Sequence, residues 1–206
     1  MKTLVVAGFC ALLLGCAAQQ PPSFTEDQAV GLTDDRAQVV KGAMEGGGGI
    51  LYGDELVMGV QAPKGWIFDS KIGASQGLYA VMYPVGSTWA SAPEIMYVNI
   101  AKLQSGETLE GFIDGDIELF KKNSPDLKVE AGPEIAIVGG EQAVVRFYSG
   151  DKWGNHEAVA YLPRGSNVAI YVLSCKTQAG FEKSLPAFRE MVSKSFASEM
   201  RFESGK

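Results

Sequence analysis

Between residues 134 and 174 one strand-like run follows another with only short turns between them, and this succession constrains the fold more than any other stretch. The runs are EIAIV at 134–138, EQAVVRFYS at 141–149, HEAVAYL at 156–162 and NVAIYVLS at 167–174. β-Branched and aromatic residues dominate them, as strands require. Gly139 and Gly140 divide the first two. Paired glycines between strand-like runs signal a tight hairpin, because both turn positions accept positive φ. Asp151 to Asn155 (DKWGN) forms the next turn and Pro163 to Ser166 the one after. The second half of the chain therefore reads as an antiparallel meander.

The first half adds strands at 55–62 (ELVMGVQA), 77–83 (GLYAVMY) and 94–101 (EIMYVNIA). PKGW at 63–66 reads as a turn closed by a tryptophan that packs. A helix is expected around 108–122, where Leu109, Phe112, Ile113, Ile117 and Phe120 share one face. A second is expected from Gln178 to Ala197, with Phe181, Leu185, Phe188, Val192 and Phe196 at helical spacing. Pro186 lies inside it and should kink or divide it. Strands, helix, strands, helix is the order of an α+β domain built on an antiparallel sheet.

The N-terminus has a different character. Lys2 precedes an apolar run from Leu4 to Leu14. One positive charge and an apolar stretch of this length form an export signal, and the stretch is too short to span a bilayer. Leu13-Leu14-Gly15-Cys16 then resembles the lipobox of bacterial lipoproteins. That resemblance implies cleavage between Gly15 and Cys16 and lipidation of Cys16. Several acyl chains on one residue anchor stably, whereas one chain binds only marginally. Ala17 is not the aspartate that favours inner-membrane retention in enteric-type lipoproteins, so the implied address is the outer membrane, facing the periplasm.

Residues 16–52 read as a lipidated flexible tether, broken by Pro21-Pro22 and ending in Gly46 to Gly49. The glycine run lacks the Lys-Ser/Thr pair and following helix of a phosphate-binding loop. The domain is expected over 53–200 and a short tail over 201–206, with the signal peptide at 1–15. Removing the signal leaves about 190 residues, enough for one sizeable core.

Charge and cysteine usage narrow the function. The formal charge of −6 becomes −7 once Lys2 leaves with the signal. Such a surface disfavours nonspecific binding to nucleic acid and anionic lipid. Of three cysteines, Cys10 leaves with the signal and Cys16 takes lipid. Cys175 is left alone, with no intrachain partner, and its apolar neighbours place it at a buried strand end.

The order of PKGW, STWASAPEIMYVNI, TLEGFIDGDIELF, GGEQAVVRF and AIYVLSCKTQAGFEKSLPAFREMVSKSF resembles that of PsbP-like domains, including those of DcrB-like bacterial lipoproteins. The resemblance covers roughly residues 53–198. It implies an αβα sandwich around an antiparallel sheet that serves as a binding or accessory module. It contains no catalytic motif, and no functional residue carries over.

No residue pattern marks an active site. His156 is the sole histidine, beside a turn, and no Gly-x-Ser-x-Gly elbow occurs. One histidine and one free thiol do not make a structural zinc site. Asp114-Gly115-Asp116 lies in the helical pattern and lacks the alternating ligands of a calcium loop. No cofactor is expected. Trp89 in VGSTWASAP and Trp153 in DKWGN are more informative, because turns favour polar residues and tryptophan is enriched at binding hot spots. Arg146 and Tyr148 alternate to the face opposite Val145 and Phe147 and extend the candidate partner surface along the strand.

The expected function is a lipid-anchored, noncatalytic binding or accessory protein of the bacterial cell envelope. Its partners would be the membrane, through the N-terminal lipid, and another envelope protein, but not nucleic acid. The alternatives are an envelope hydrolase with an unmarked carboxylate site, or a carrier of a small apolar ligand held between sheet and helix.

Overall fold

A computed structural model describes residues 44–53 and 55–199. Its strands are β1 (Met44–Glu45), β2 (Gly48–Tyr52), β3 (Leu56–Gln61), β4 (Trp66–Asp69), β5 (Ala80–Pro84), β6 (Glu94–Lys102), β7 (Lys128–Ala136), β8 (Gln142–Ser149), β9 (His156–Arg164), β10 (Asn167–Cys175) and β11 (Phe196–Glu199). Its helices are α1 (Ser70–Ser75), α2 (Leu109–Asn123) and α3 (Gln178–Lys194). Among the described residues the strands form an eight-stranded antiparallel sheet, ordered β1-β4-β5-β6-β10-β9-β8-β7, and a three-stranded one, ordered β11-β3-β2.

The large sheet is the middle layer. Alternation along each strand sends one set of side chains to either face. Ala158, Ala160 and Leu162 of β9 join Phe181, Phe188, Met191 and Val192 of α3 and Leu56, Met58 and Val60 of β3 in one core. Val159 and Tyr161 of the same strand join Ile113 and Phe120 of α2 in a second core on the other face. Helix α3 and the small sheet thus cover one side, and α1 and α2 the other. The fold is an α+β sandwich in αβα layers, as expected.

Each helix begins where a side chain satisfies an otherwise unpaired backbone N–H. Asp69 accepts from Ile72 N at 2.9 Å, Thr108 from Gly111 N at 3.1 Å and Thr177 from Gly180 N at 3.0 Å. The expected helix around 108–122 is α2, which ends one residue later. Pro186 does not divide α3: the helix is continuous from Gln178 to Lys194. Pro186 and Glu182 are both exposed, so the carbonyl that loses its donor lies on the solvent side. The helix ends earlier than its periodicity predicts. Fully buried Ser195 bonds Val192 O at 2.7 Å and Tyr171 Oη at 2.8 Å. The chain then turns extended, and β11 pairs with β3.

The tether expected to run to residue 52 is corrected from Met44 onward. Those residues form β1, paired with β4, and β2, paired with β3. The glycine run serves close approach and not flexibility. A Cβ on Gly48 would meet Val60 O at 2.5 Å, and one on Gly49 would meet the Phe68 ring at 3.1 Å. The domain therefore includes β1 and β2. Signal, lipidation site and C-terminal tail lie outside the described residues.

The expected hairpin between β7 and β8 is present, with Gly139 at φ 107° and Gly140 at φ 89°. Its connection is longer than two residues, closed by Ile137 N donating to Glu141 O at 2.9 Å.

Candidate functional site

Sheet register brings distant segments to one end of the molecule. Glu94, at the start of β6, faces Cys175, at the end of β10. Cys175 also faces His156, at the start of β9. The β5–β6 loop (85–93) and the β8–β9 turn (150–155) therefore open at the same end of the large sheet. Lys176 ties them together. Its backbone N donates to Pro93 O at 3.0 Å, and its Nζ donates to Asn155 Oδ1 at 3.2 Å.

Asp151 organises the turn. Its Oδ1 accepts from Trp153 N at 3.1 Å and Asn155 N at 2.7 Å, and its Oδ2 accepts from Asn155 Nδ2 at 3.2 Å. An aspartate that binds backbone donors further along the chain is a normal way to fix a turn. Lys152 N donates to Ser124 Oγ at 3.2 Å, which docks the turn on the C-cap of α2. Trp153 is left half-buried near the tip, with Lys152 Nζ 4.1 Å from its ring centroid. A cation over an indole face is worth about 0.5–1 kcal/mol at an exposed site.

The other expected surface residues divide. Trp89 is half-buried and packs against the core on the α2 side. Arg146 is half-buried on the α2 face, and its Nη1 donates to Val145 O at 3.1 Å. Tyr148 is a correction. It is 4 % exposed, lies against Phe120 with ring centroids 5.6 Å apart, and shares a 2.8 Å hydrogen bond with Tyr161. The alternation assigned Arg146 and Tyr148 to one face correctly, but α2 covers that face at Tyr148. A buried hydroxyl cannot belong to a partner surface.

Sequence reasoning missed a polar cluster beneath this end of the sheet. Tyr161 Oη donates to Asp116 Oδ2 at 2.7 Å, so Tyr148 supplies the proton in the tyrosine pair. Burial raises the Asp116 carboxyl above its usual range, opposed by the Tyr161 hydrogen bond. Glu157 sits at the start of β9, flanked by Tyr148 on β8 and Ser174 on β10. It is 4 % exposed, and its Oε2 has no hydrogen-bond partner among the described residues. Burial pushes its carboxyl up to about 7; Asp151 and Asp116 add to the rise, while a Ser174 hydrogen bond and Lys176 oppose it. The signal for Glu157 was available in HEAVAYL. Apolar residues of both parities mark a strand buried on both faces, so a glutamate in that run has nowhere exposed to go.

Cys175 is a buried strand end, as expected: 1 % exposed, its thiol pushed up to about 12 by burial and by Glu94 and Glu157. Such a thiol is a poor nucleophile. Trp66 packs on β4 at 6 % exposed. Asp114 is exposed, as a solvated helix face predicts, whereas Asp116 turns inward to Tyr161. Among the described residues no group of three or more histidines, cysteines or acids is placed to hold a metal ion.

No family model and no curated protein matches the chain. Solved structures do. One is the cyanobacterial PsbP protein of Synechocystis, at 19 % identity and TM-score 0.46, covering 68 % of this chain and 85 % of that one. A Pseudomonas aeruginosa protein of unknown function, described as a putative regulator, matches at 19 % identity and TM-score 0.41, covering 54 % and 85 %. A mutant of the protein Mog1 matches at 15 % identity and TM-score 0.44, covering 74 % and 96 %. Likeness at this level assigns no function.

Proposed function

We propose that this chain is a lipid-anchored, noncatalytic binding or accessory protein of the bacterial cell envelope. Cys16 carries the lipid, and the loop end of the sheet contacts another envelope protein. One observation carries the binding surface: Lys176 fastens the two tryptophan-bearing loops to each other. Loops tied in this way present Trp153 with little ordering left to lose on binding. Arg146 flanks the surface on β8, and Trp89 supports it from below. The Leu-Leu-Gly-Cys boundary supports the anchor, and the implied address is the outer membrane facing the periplasm.

The acids do not favour a hydrolase. Asp116 and Glu157 share one cluster covered by α2, where a substrate would have to displace the helix. A carrier would hold its ligand between sheet and helix. The apolar depression lined by Ile50, Val60 and Phe196 lies instead on the small sheet and opens to solvent.

Two substitutions test the proposal. Cys16→Ser should abolish lipid labelling and release the protein from membranes; labelling unchanged in that variant rejects the anchor. Trp153→Ala should keep the melting temperature within a few degrees and lose most in-cell crosslinks to the partner. A hot-spot tryptophan costs about 2 kcal/mol of binding when truncated, close to thirtyfold. Unchanged crosslinks in Trp153→Ala reject the surface.

A further inference from the structure

We propose that Glu157 is a proton-gated latch on the β8–β9 turn: neutral Glu157 leaves Lys176 on Asn155 and the turn closed, and loss of its proton to solvent draws Lys176 inward and loosens the turn. The function of the latch rests on the loop end being the binding surface. Its chemistry does not.

The geometry is the basis. Glu157 Oε2 is buried and unpartnered among the described residues, directly beneath the turn. The ionisable groups that face it come from every neighbouring element. Asp116 comes from α2, Asp151 from the turn, Tyr148 from β8 and Tyr161 from its own strand. Lys176 comes from just beyond β10 and Ser174 adds a neutral hydroxyl, while Cys175, whose thiol feels the Glu157 charge, lies on the opposite face of the sheet. Lys176 is the cation in this set, and it is already committed to Asn155. An unpaired buried carboxylate is far more costly than a neutral carboxyl. Ionisation therefore calls for a counter-charge or for water.

Lys176 meets the first demand and the turn the second. The Lys176 side chain is long and exposed, and its contact with Asn155 is a single hydrogen bond. Breaking that bond unties the turn from Lys176 and leaves Asn155 held by Asp151 alone. Lifting the turn also admits water to Oε2. Both movements shift the segment that presents Trp153. The proton that leaves Glu157 goes to solvent, and no other bond is made or broken. Burial places the transition near pH 7 and not in the ordinary carboxylate range.

The test is amide hydrogen exchange of residues 151–157 in the full chain, expressed as protection factors between pH 5 and 8 and paired with carbon-13 titration of the Glu157 carboxyl. Protection of the turn in the wild type should fall by up to about tenfold for each pH unit as pH rises toward the carboxyl midpoint, and level off above it. Glu157→Gln should show flat protection over the same range. Lys176→Met should show low protection at every pH. A Glu157 midpoint in the ordinary range near 4.5 overturns the latch, even if Glu157→Gln fails to fold. So does equal pH dependence in wild type and Glu157→Gln. Lost crosslinks at Trp153 with no exchange transition remove the latch and keep the binding surface; the opposite pattern removes the surface and keeps the latch.

Discussion

Both ends of the large sheet are held by polar side chains, but the two sets differ. At the far end, Arg164 pairs with Glu141 and donates to Ala197 O at 3.0 Å, while Glu55 accepts from Ser166 Oγ at 2.7 Å and lies 3.8 Å from Lys102 Nζ. These carboxylates are exposed and paired, and the hydrogen bond to each, Ser166 for Glu55 and Arg164 for Glu141, holds it below its usual range. At the loop end, Asp151 and Glu157 are buried, and Glu157 Oε2 is unpartnered among the described residues. Exposed pairs near water add little and cost little. A buried, underpaired acid stores an unfavourable charge that a proton can remove. The same sheet therefore has one end that is insensitive to its surroundings and one that is poised to respond.

The largest expected effect follows from that contrast. Glu157 holds its proton more tightly folded, at about 7, than at the ordinary value of 4.5. Between those values the folded state binds more protons than the unfolded one. Stability should thus be highest below pH 4.5 with respect to this group, fall as pH rises through the window, and level off above 7. The full difference is roughly 3 kcal/mol at 1.36 kcal/mol per unit. Half-buried Asp116, shifted the same way, adds to the slope. Denaturant unfolding across that range should show the fall in wild type and a shallower one in Glu157→Gln; parallel curves contradict the account.

Tyr161→Phe comes next. It removes the donor to half-buried Asp116 Oδ2, and stranding such an acceptor costs about 1–3 kcal/mol. Chemical denaturation at pH 6 measures it, and a change below about 0.5 kcal/mol, the surface-substitution level, argues against a tight cluster. Trp89→Ala should cost more stability than Trp153→Ala, because Trp89 packs on the α2-side core while Trp153 sits at a turn tip. The smallest effect belongs to the far end. Glu141→Gln should leave the melting temperature unchanged at neutral pH.

Legibility in the sequence followed the range of the interactions. The meander and both long helices were readable because their periodicity is local. Strand β4 and helix α1 are short and were not anticipated, nor were β1, β2 and β11, whose partners supply what their own pattern lacks: Gly48 and Gly49 are strand residues only because β3 and Phe68 lie against them. Trp153 was visible as an aromatic residue in a polar turn. Tyr148 was misplaced because alternation assigns a face but does not say what covers it. The Lys176–Asn155 tie joins residues 21 positions apart across two strands and the turn between them, and no local pattern encodes it.

The central claim is that partner contact occurs at the loop end and not elsewhere on the domain. Val138, 59 % exposed in the β7–β8 connection, marks the opposite end of the same sheet. A photo-reactive side chain placed in intact cells at position 153, and separately at 138, compares the two ends directly. The account predicts a discrete protein adduct from position 153 and none from position 138. Adducts from 138 alone, equal adducts from both, or none from 153 would contradict it.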